Sequence, residues 1–294
     1  MLNGAIAQGI TEKLAELVGA EGKLQIVAPV SGGSINSCWR VSYNKDSFFI
    51  KVNSAVNYPG MFKAEAAGLT ELQSHNVIKV PGVIGEGEVG GYQFLILEWI
   101  NQGRNSVQSE ELFGRQLADL HRIKHAKFGL DYNNYMGSLP QPNELTESYA
   151  DFFIEYRLKP QVEIALSKKL LPLELERSFN SVYGILGSML DNEVFPSLVH
   201  GDLWSGNYLI DTSGSPVLVD PAISFSNREI DIAMTTLFGG FSNRFYESYH
   251  ESFPLAKGWQ ERMDLWNLYP LLIHLNLFGT GYLRQIQSAL NKYV

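Results

Sequence analysis

The 294-residue sequence predicts an α+β chain in two lobes: an N-terminal antiparallel sheet with one main helix over residues 1–100, and a mostly helical C-terminal lobe over residues 101–294. Three observations predict it. Between Gln25 and Trp99 short β-rich runs alternate with Gly, Pro and Asn. Beyond Asn101-Gln102-Gly103 apolar residues recur at helical spacing. The change of texture falls near residue 100.

The elements follow in order. Ile6, Ile10, Leu14, Leu17 and Val18 share one face of an amphipathic surface helix. "QIVAPV", "SCWRV" and "SFFIKVN" read as three strands, and "MFKAEAAGLTELQ" as a helix from Met61 to Gln73. "PGVIGEGEV" and "YQFLILEWI" read as two more strands, joined at Gly90-Gly91 by a hairpin turn. Ser109 is the expected N-cap of the helix in "SEELFGRQLADLHRIK". The Pro-, Asn- and Gly-rich segment "FGLDYNNYMGSLPQPN" is a connector. "SYADFFIEYRLKPQVEIAL" and "LELERSFNSVYGILGSMLDN" are each expected to form one helix, and the stretch from "REIDIAMTTLF" onward is again helical.

Composition narrows the function. A net charge of −8 and no Lys/Arg cluster argue against a nucleic-acid partner, which needs a basic footprint. One cysteine, Cys38, rules out an intramolecular disulfide framework and fits a reducing compartment. The first twenty residues carry no basic n-region and no continuous apolar h-region, and "LYPLLIHLNLFG" is too short and polar to span a bilayer. A soluble, cytoplasmic protein without a membrane partner is the expectation.

The chemistry centres on "LVHGDLWSGNYLI". In Asp202-x4-Asn207 a carboxylate can orient or deprotonate a hydroxyl, while the amide oxygen can ligate a divalent cation. Asp220, at the end of "PVLVD", adds a second carboxylate, and such hard oxygen ligands suit Mg²⁺. Taken alone, the Asp202/Asn207 pair also fits a tight turn. The N-terminal lobe adds Gly32 and Gly33 in "SGGSIN", Lys51 on a strand and Glu65 on the following helix. Separately, these read as a hairpin turn, an edge-strand lysine and a solvated helix face. Their joint order is that of a kinase-like fold binding ATP: Gly turn, strand Lys, helix Glu, Asp-x4-Asn, strand-end Asp. By position, the backbone of Glu98 and Ile100 would meet the adenine. His200 sits beside the catalytic loop, and Asp231 either caps the helix "DIAMTTLF" or anchors the loop backbone. No Walker A loop, G-x-S-x-G elbow or zinc spacing is present.

"HGDLWSGN", "DPA", "REIDIAM", "LFGGF" and "LYPLLIHLNLFGTGY" closely resemble the fructosamine kinase (ketosamine-3-kinase) family, of the aminoglycoside-phosphotransferase-like branch of the protein-kinase-like fold. "FGLDYNNYMGSLPQPN" and "FFIEYRLKPQ" extend the resemblance over nearly the whole chain. It implies transfer of the γ-phosphoryl of ATP to the 3-hydroxyl of a ketosamine, free or protein-bound, whose 3-phosphate then falls away and releases the amine. It also implies that Asp202 is the catalytic base, Asn207 and Asp220 hold Mg²⁺, Lys51 paired with Glu65 grips the α- and β-phosphates, and Trp204 lines the sugar pocket. Many relatives carry a Cys after the loop glycines. Here Ser34 stands there, so redox control through that loop is not expected.

Two other readings remain. One is a kinase of another small hydroxylated amine, such as an aminoglycoside, choline or a homoserine-like compound. The other is a silent nucleotide-binding scaffold, against which all five expected catalytic residues stand. The sequence leaves the preferred sugar and the oligomeric state open.

Overall fold

The computed structural model describes residues 4–31, 35–189 and 194–293. The chain forms two compact units. The first holds Met1–Ser109 and Tyr208–Pro221, the second Glu110–Asn207 and Ala222–Val294.

The first unit opens with helix α1 (Gly4–Val18) and strands β1 (Leu24–Val30), β2 (Ser37–Tyr43) and β3 (Asp46–Ser54). Helix α2 (Met61–Ser74) follows, then β4 (Val83–Val89) and β5 (Tyr92–Glu98). The strands make one antiparallel sheet in the order β1-β2-β3-β5-β4. Period-two alternation divides β3 between two faces. Phe48, Ile50 and Val52 join Ile6, Ile10 and Leu14 of α1 in a buried core with Val41, Tyr43, Phe94 and Ile96. Lys51 and Asn53 take the opposite face, where they meet Glu65 and Met61 of α2. Leu17 and Val18 of the expected α1 stripe stay 45% and 41% exposed, because the buried stripe ends at Leu14. Gly90 and Gly91 both have positive φ, 57° and 79°, as a type I′ hairpin between right-twisted strands requires.

Helix α3 spans Val107–Leu120, so Ser109 lies inside the helix rather than at its N-cap. Ser106 caps it instead: Ser106 Oγ accepts from Ser109 N at 3.1 Å, and Ser109 Oγ accepts from Ser106 N at 2.8 Å. This reciprocal capping box places the helix start three residues earlier than expected.

In the second unit the 128–143 connector carries a small hairpin, β6 (Asn134–Met136) with β7 (Leu139–Gln141). The single helix expected over 148–166 is three pieces: α4 (Tyr149–Phe153), a π-helical turn (Ile154–Leu158) and α5 (Lys159–Ser167). Pro160 has no N–H to offer the Tyr156 carbonyl four residues back, and the Arg157 guanidinium donates to that oxygen at 2.9 Å. Helix α6 (Leu173–Met189) and strand β8 (Ser197–Val199) complete the stretch before the "HGDLWSGN" segment.

Strands β9 (Tyr208–Ile210) and β10 (Pro216–Leu218) then form a hairpin that belongs to the first unit. Ile210 O accepts from Gly103 N at 2.7 Å, and Leu218 N donates to Lys79 O at 2.9 Å. The second unit resumes with β11 (Ser224–Ser226), which pairs with β8. Helices α7 (Glu229–Leu237), α8 (Asn243–Ser252), α9 (Trp259–Phe278) and α10 (Leu283–Leu290) follow. Phe113, Phe152, Phe153, Phe179, Phe245, Tyr249 and Trp266 fill this unit's core. Among the described residues no helix is long and apolar enough to cross a membrane.

Candidate active site

In the first unit three ionisable side chains meet. Lys51 sits on β3, a central strand and not an edge, and its side chain is 3% exposed. Its Nζ lies 2.7 Å from Glu65 Oε1 and 2.5 Å from Asp220 Oδ1. Burial opposes a charge on Lys51, but the Asp220 and Glu65 carboxylates outweigh it and raise the amine's pKa, so it remains a cation. Glu65 is 12% exposed and faces Lys51 rather than solvent.

Asp220 adopts φ +54°, a left-handed conformation that a residue with a Cβ rarely takes. Holding it there costs on the order of 1–3 kcal/mol. Its side chain is 48% exposed while one oxygen holds Lys51, so the strained backbone presents a carboxylate to solvent.

The second unit shapes the segment 200–207. Asp231 Oδ2 accepts from His200 N at 2.7 Å and Asp231 Oδ1 from Gly201 N at 2.9 Å. Asp231 is the third residue of α7, not its N-cap. The capping role falls to Asn227, whose Oδ1 accepts from Glu229 N at 3.0 Å. His121 Nε2 reaches Asp231 Oδ2 at 3.2 Å and its Nδ1 lies 2.7 Å from the Tyr249 hydroxyl. Burial lowers the His121 pKa against the pull of Asp231, so the neutral ring donates to Asp231 and accepts from Tyr249. Gly201 has φ +83°, and a Cβ there would lie 2.1 Å from Ala222 O. Only glycine fits.

Asp202 and Asn207 bond to each other. Asn207 Nδ2 donates to Asp202 Oδ2 at 2.8 Å and to Asp202 O at 2.9 Å. With both amide hydrogens engaged, Oδ1 is the atom Asn207 offers to a cation. Asp202 N points to His200 Nδ1 at 3.3 Å. The half-buried Trp204 packs edge-on to Phe238 at 6.0 Å, and Phe238 leads to His274 and Tyr282. A Cβ on Gly206 would strike the Trp204 ring, 2.2 Å away, so that glycine makes room for the indole.

The remaining expected residues divide. Glu98 ends β5, exposed, with its N–H donated to Gly82 O at 2.8 Å, and Ile100 lies two residues on, half-buried. Gly32, Gly33 and Ser34 lie outside the described residues. Cys38 is half-buried, and burial in the main pushes its thiol up to about 11 against the attraction of Lys51. Among the described residues no cluster of three or more His, Cys, Asp and Glu is placed to hold a metal.

Sequence reasoning leaves one buried polar network without a role. Asn134, Gln141, Asn143 and Arg157 are all buried. Asn134 Nδ2 donates to Ile223 O at 3.0 Å, Gln141 Nε2 to Ala222 O at 3.4 Å and Arg157 to Asn143 Oδ1 at 2.7 Å. Ala222 N donates to His200 O at 2.9 Å, so this network braces the backbone beside the Asp202 segment. The signal was the density of amides in "NNYMGSLPQPN", which the connector reading takes as loop polarity.

The fructosamine kinase family model matches residues 6–294. The chain belongs to that family. It is 40% identical to a Synechocystis protein named "Probable ketoamine kinase", over 97% of this chain and 96% of that one. It is 33% identical to the chloroplastic protein-ribulosamine 3-kinase of Arabidopsis thaliana, over 99% of this chain and 90% of the relative. A crystal structure of a candidate fructosamine-3-kinase from Haemophilus somnus superposes with a TM-score of 0.89 at 32% identity, covering 97% of this chain and 96% of the other. The aminoglycoside phosphotransferase APH(4)-Ia matches with a TM-score of 0.65 at 12% identity, covering 98% and 99%, a likeness of fold alone. The protein-kinase-like α+β fold and a phosphotransferase activity toward a hydroxyl group follow from membership, and with them the use of ATP.

Proposed function

We propose that this fructosamine kinase transfers the γ-phosphoryl group of ATP to the 3-hydroxyl of a ketosamine. The acceptor hydroxyl gives its proton to Asp202, its oxygen bonds the γ-phosphorus, and ADP leaves. Loss of the 3-phosphate from the product then frees the amine. The observation that carries this reading is the 2.8 Å bond from Asn207 to the Asp202 carboxylate, inside a segment whose backbone is pinned by Asp231. That bracing fixes a carboxylate for a hydroxyl proton, and phosphoryl transfer depends on such positioning.

The other side chains take roles that their environments support. Lys51, held cationic by Glu65 and Asp220, grips the α- and β-phosphates. Asn207 Oδ1 and the exposed part of Asp220 are hard oxygen donors that suit Mg²⁺, which when bound would neutralise phosphate charge. Trp204 and Phe238 offer an aromatic wall to the sugar, and the backbone of Glu98 and Ile100 offers hydrogen bonds to the adenine. The N-terminal unit thus serves as the ATP-binding lobe and the helical unit as the acceptor-binding lobe.

The test is ATP consumption over fructosyl-, ribulosyl- and psicosyl-amines, with kanamycin and choline as competing acceptors. Turnover on the ketosamines alone is expected. Turnover on kanamycin or choline alone would transfer the protein to a different acceptor class.

A further inference from the structure

Two buried amides outside the roles above sit side by side on the face of the sheet that carries Lys51. Asn53 lies two residues beyond Lys51 on β3, and Gln93 of β5 is its direct cross-strand partner. Both are buried, at 7% and 2% exposure. Gln93 Oε1 accepts from Phe62 N at 3.3 Å, and its Nε2 donates to Tyr58 O. Asn53 Nδ2 donates to Asn36 Oδ1 at 2.8 Å and contacts Met61 Sδ at 3.1 Å.

These contacts converge on the first turn of α2. That helix starts at Met61 after a left-handed Gly60, which has no side chain to cap the orphan N–H groups. Gln93 supplies the missing acceptor from the sheet. Glu65 stands one helical turn after Met61, so whatever fixes Met61 and Phe62 also fixes the carboxylate that holds Lys51.

Asn53 is a poor choice if packing were its only task. Its Oδ1 is buried and accepts no hydrogen bond among the described residues. Such an orphan acceptor is destabilising, and a leucine of similar shape would avoid it.

We propose that Asn53 and Gln93 are positioning residues for the phosphate-gripping lysine, locking the first turn of α2 to β3 and β5 so that Glu65 meets Lys51. The inference rests on the reading of Lys51 as an ATP ligand. The two amides act through Glu65, and Asn36 ties the residues leading into β2 to the same point.

The test is a double-mutant cycle on the full chain, with the Kd for MgATP from calorimetry and Tm from thermal unfolding. Asn53→Leu is expected to raise the Kd about tenfold, within the coupling range of contacting residues, while Tm stays near the wild-type value, because the orphan oxygen and the hydrogen bond to Asn36 are lost together. Glu65→Gln is expected to raise the Kd as well, and the double variant to add little beyond either single one, since both weaken one pair. Asn53→Ala and Gln93→Met, tested in the same cycle, keep the question open to refutation should Asn53→Leu fail to fold. Variants that bind MgATP like the wild type, or penalties that simply add to that of Glu65→Gln, would overturn the inference. A wild-type chain that binds no MgATP would overturn the functional reading as well, which separates the two failures.

Discussion

Asp231 and Gly201 are joined by a 2.9 Å hydrogen bond from the Gly201 amide to Asp231 Oδ1, while Asp231 Oδ2 takes the neighbouring His200 amide at 2.7 Å. One buried carboxylate therefore sets the backbone that delivers Asp202. The same oxygen that holds His200 also faces His121, so the residue that follows α3, the first turn of α7 and the 200–207 segment are tied at one point.

Removing that carboxylate should damage stability and turnover together. Asp231→Ala leaves the buried His200 amide, the half-buried Gly201 amide and the His121 N–H without their acceptor. Unsatisfied buried groups cost roughly 1–3 kcal/mol each, so a loss of at least about 3 kcal/mol is expected in urea unfolding. Asp231→Asn, which keeps one oxygen, should lose less. An Asp231→Ala variant with wild-type stability would show that the anchor is dispensable.

Lys51→Met should weaken nucleotide binding more than its loss of one charge suggests. It leaves the Glu65 and Asp220 carboxylates without the cation that both now hold, so that on the proposed role of Lys51 they would repel a triphosphate. A rise in the KM for ATP of at least about tenfold is expected, with the KM for the ketosamine little changed. An unchanged KM for ATP would remove Lys51 from the phosphate-binding role.

Two histidines, the buried His121 and the half-buried His274, make stability pH-dependent. Burial lowers the pKa of His121 and of His274 from the 6.5 of an exposed ring. Below pH 6.5 the unfolded chain therefore binds protons that the folded chain refuses, and stability falls as pH drops. The slope is up to about 1.4 kcal/mol per pH unit for each such ring. Tm should be flat above pH 7 and decline toward pH 5, and His121→Asn should flatten part of that decline. A Tm that rises between pH 7 and 5 would contradict the assignment.

Cys38 should be a slow thiol. With its pKa pushed up to about 11, roughly one molecule in a thousand carries the thiolate at pH 8. Alkylation by iodoacetamide should lag well behind that of a free cysteine and accelerate in urea. Rapid labelling of the native chain would mean that the side chain leaves its half-buried site.

Much of the fold is written in local patterns. "SFFIKVN" reads as a strand carrying Lys51 and Gly90-Gly91 as a hairpin turn, and both form where the sequence places them. Lys51 and Glu65 are legible because each sits on a periodic element, whereas Asp220 lies two residues past β10 in a left-handed conformation that no local pattern announces. What escapes is set by tertiary contacts. Pro160 marks a helix disturbance, but the π turn beside it depends on Arg157 reaching back to Tyr156 O. Asp231 fits a cap and a loop anchor equally well from sequence, and only its partners, some thirty residues away, decide for the anchor. Asn134, Gln141 and Asn143 read as loop polarity, since nothing local reveals that a Pro- and Gly-rich segment is buried against residues 222 and 223.

Phosphoryl transfer through Asp202 is tested by comparing wild type with Asp202→Asn in ³¹P NMR of MgATP with a fructosyl- or ribulosyl-amine. The wild type is expected to form ADP and a sugar 3-phosphate. Asp202→Asn is expected to lose about 10²–10⁴-fold in kcat, the usual range for a general base, while binding MgATP with unchanged Kd. A variant that turns over at the wild-type rate, or a wild type that leaves the ketosamine hydroxyl unphosphorylated, would contradict that route.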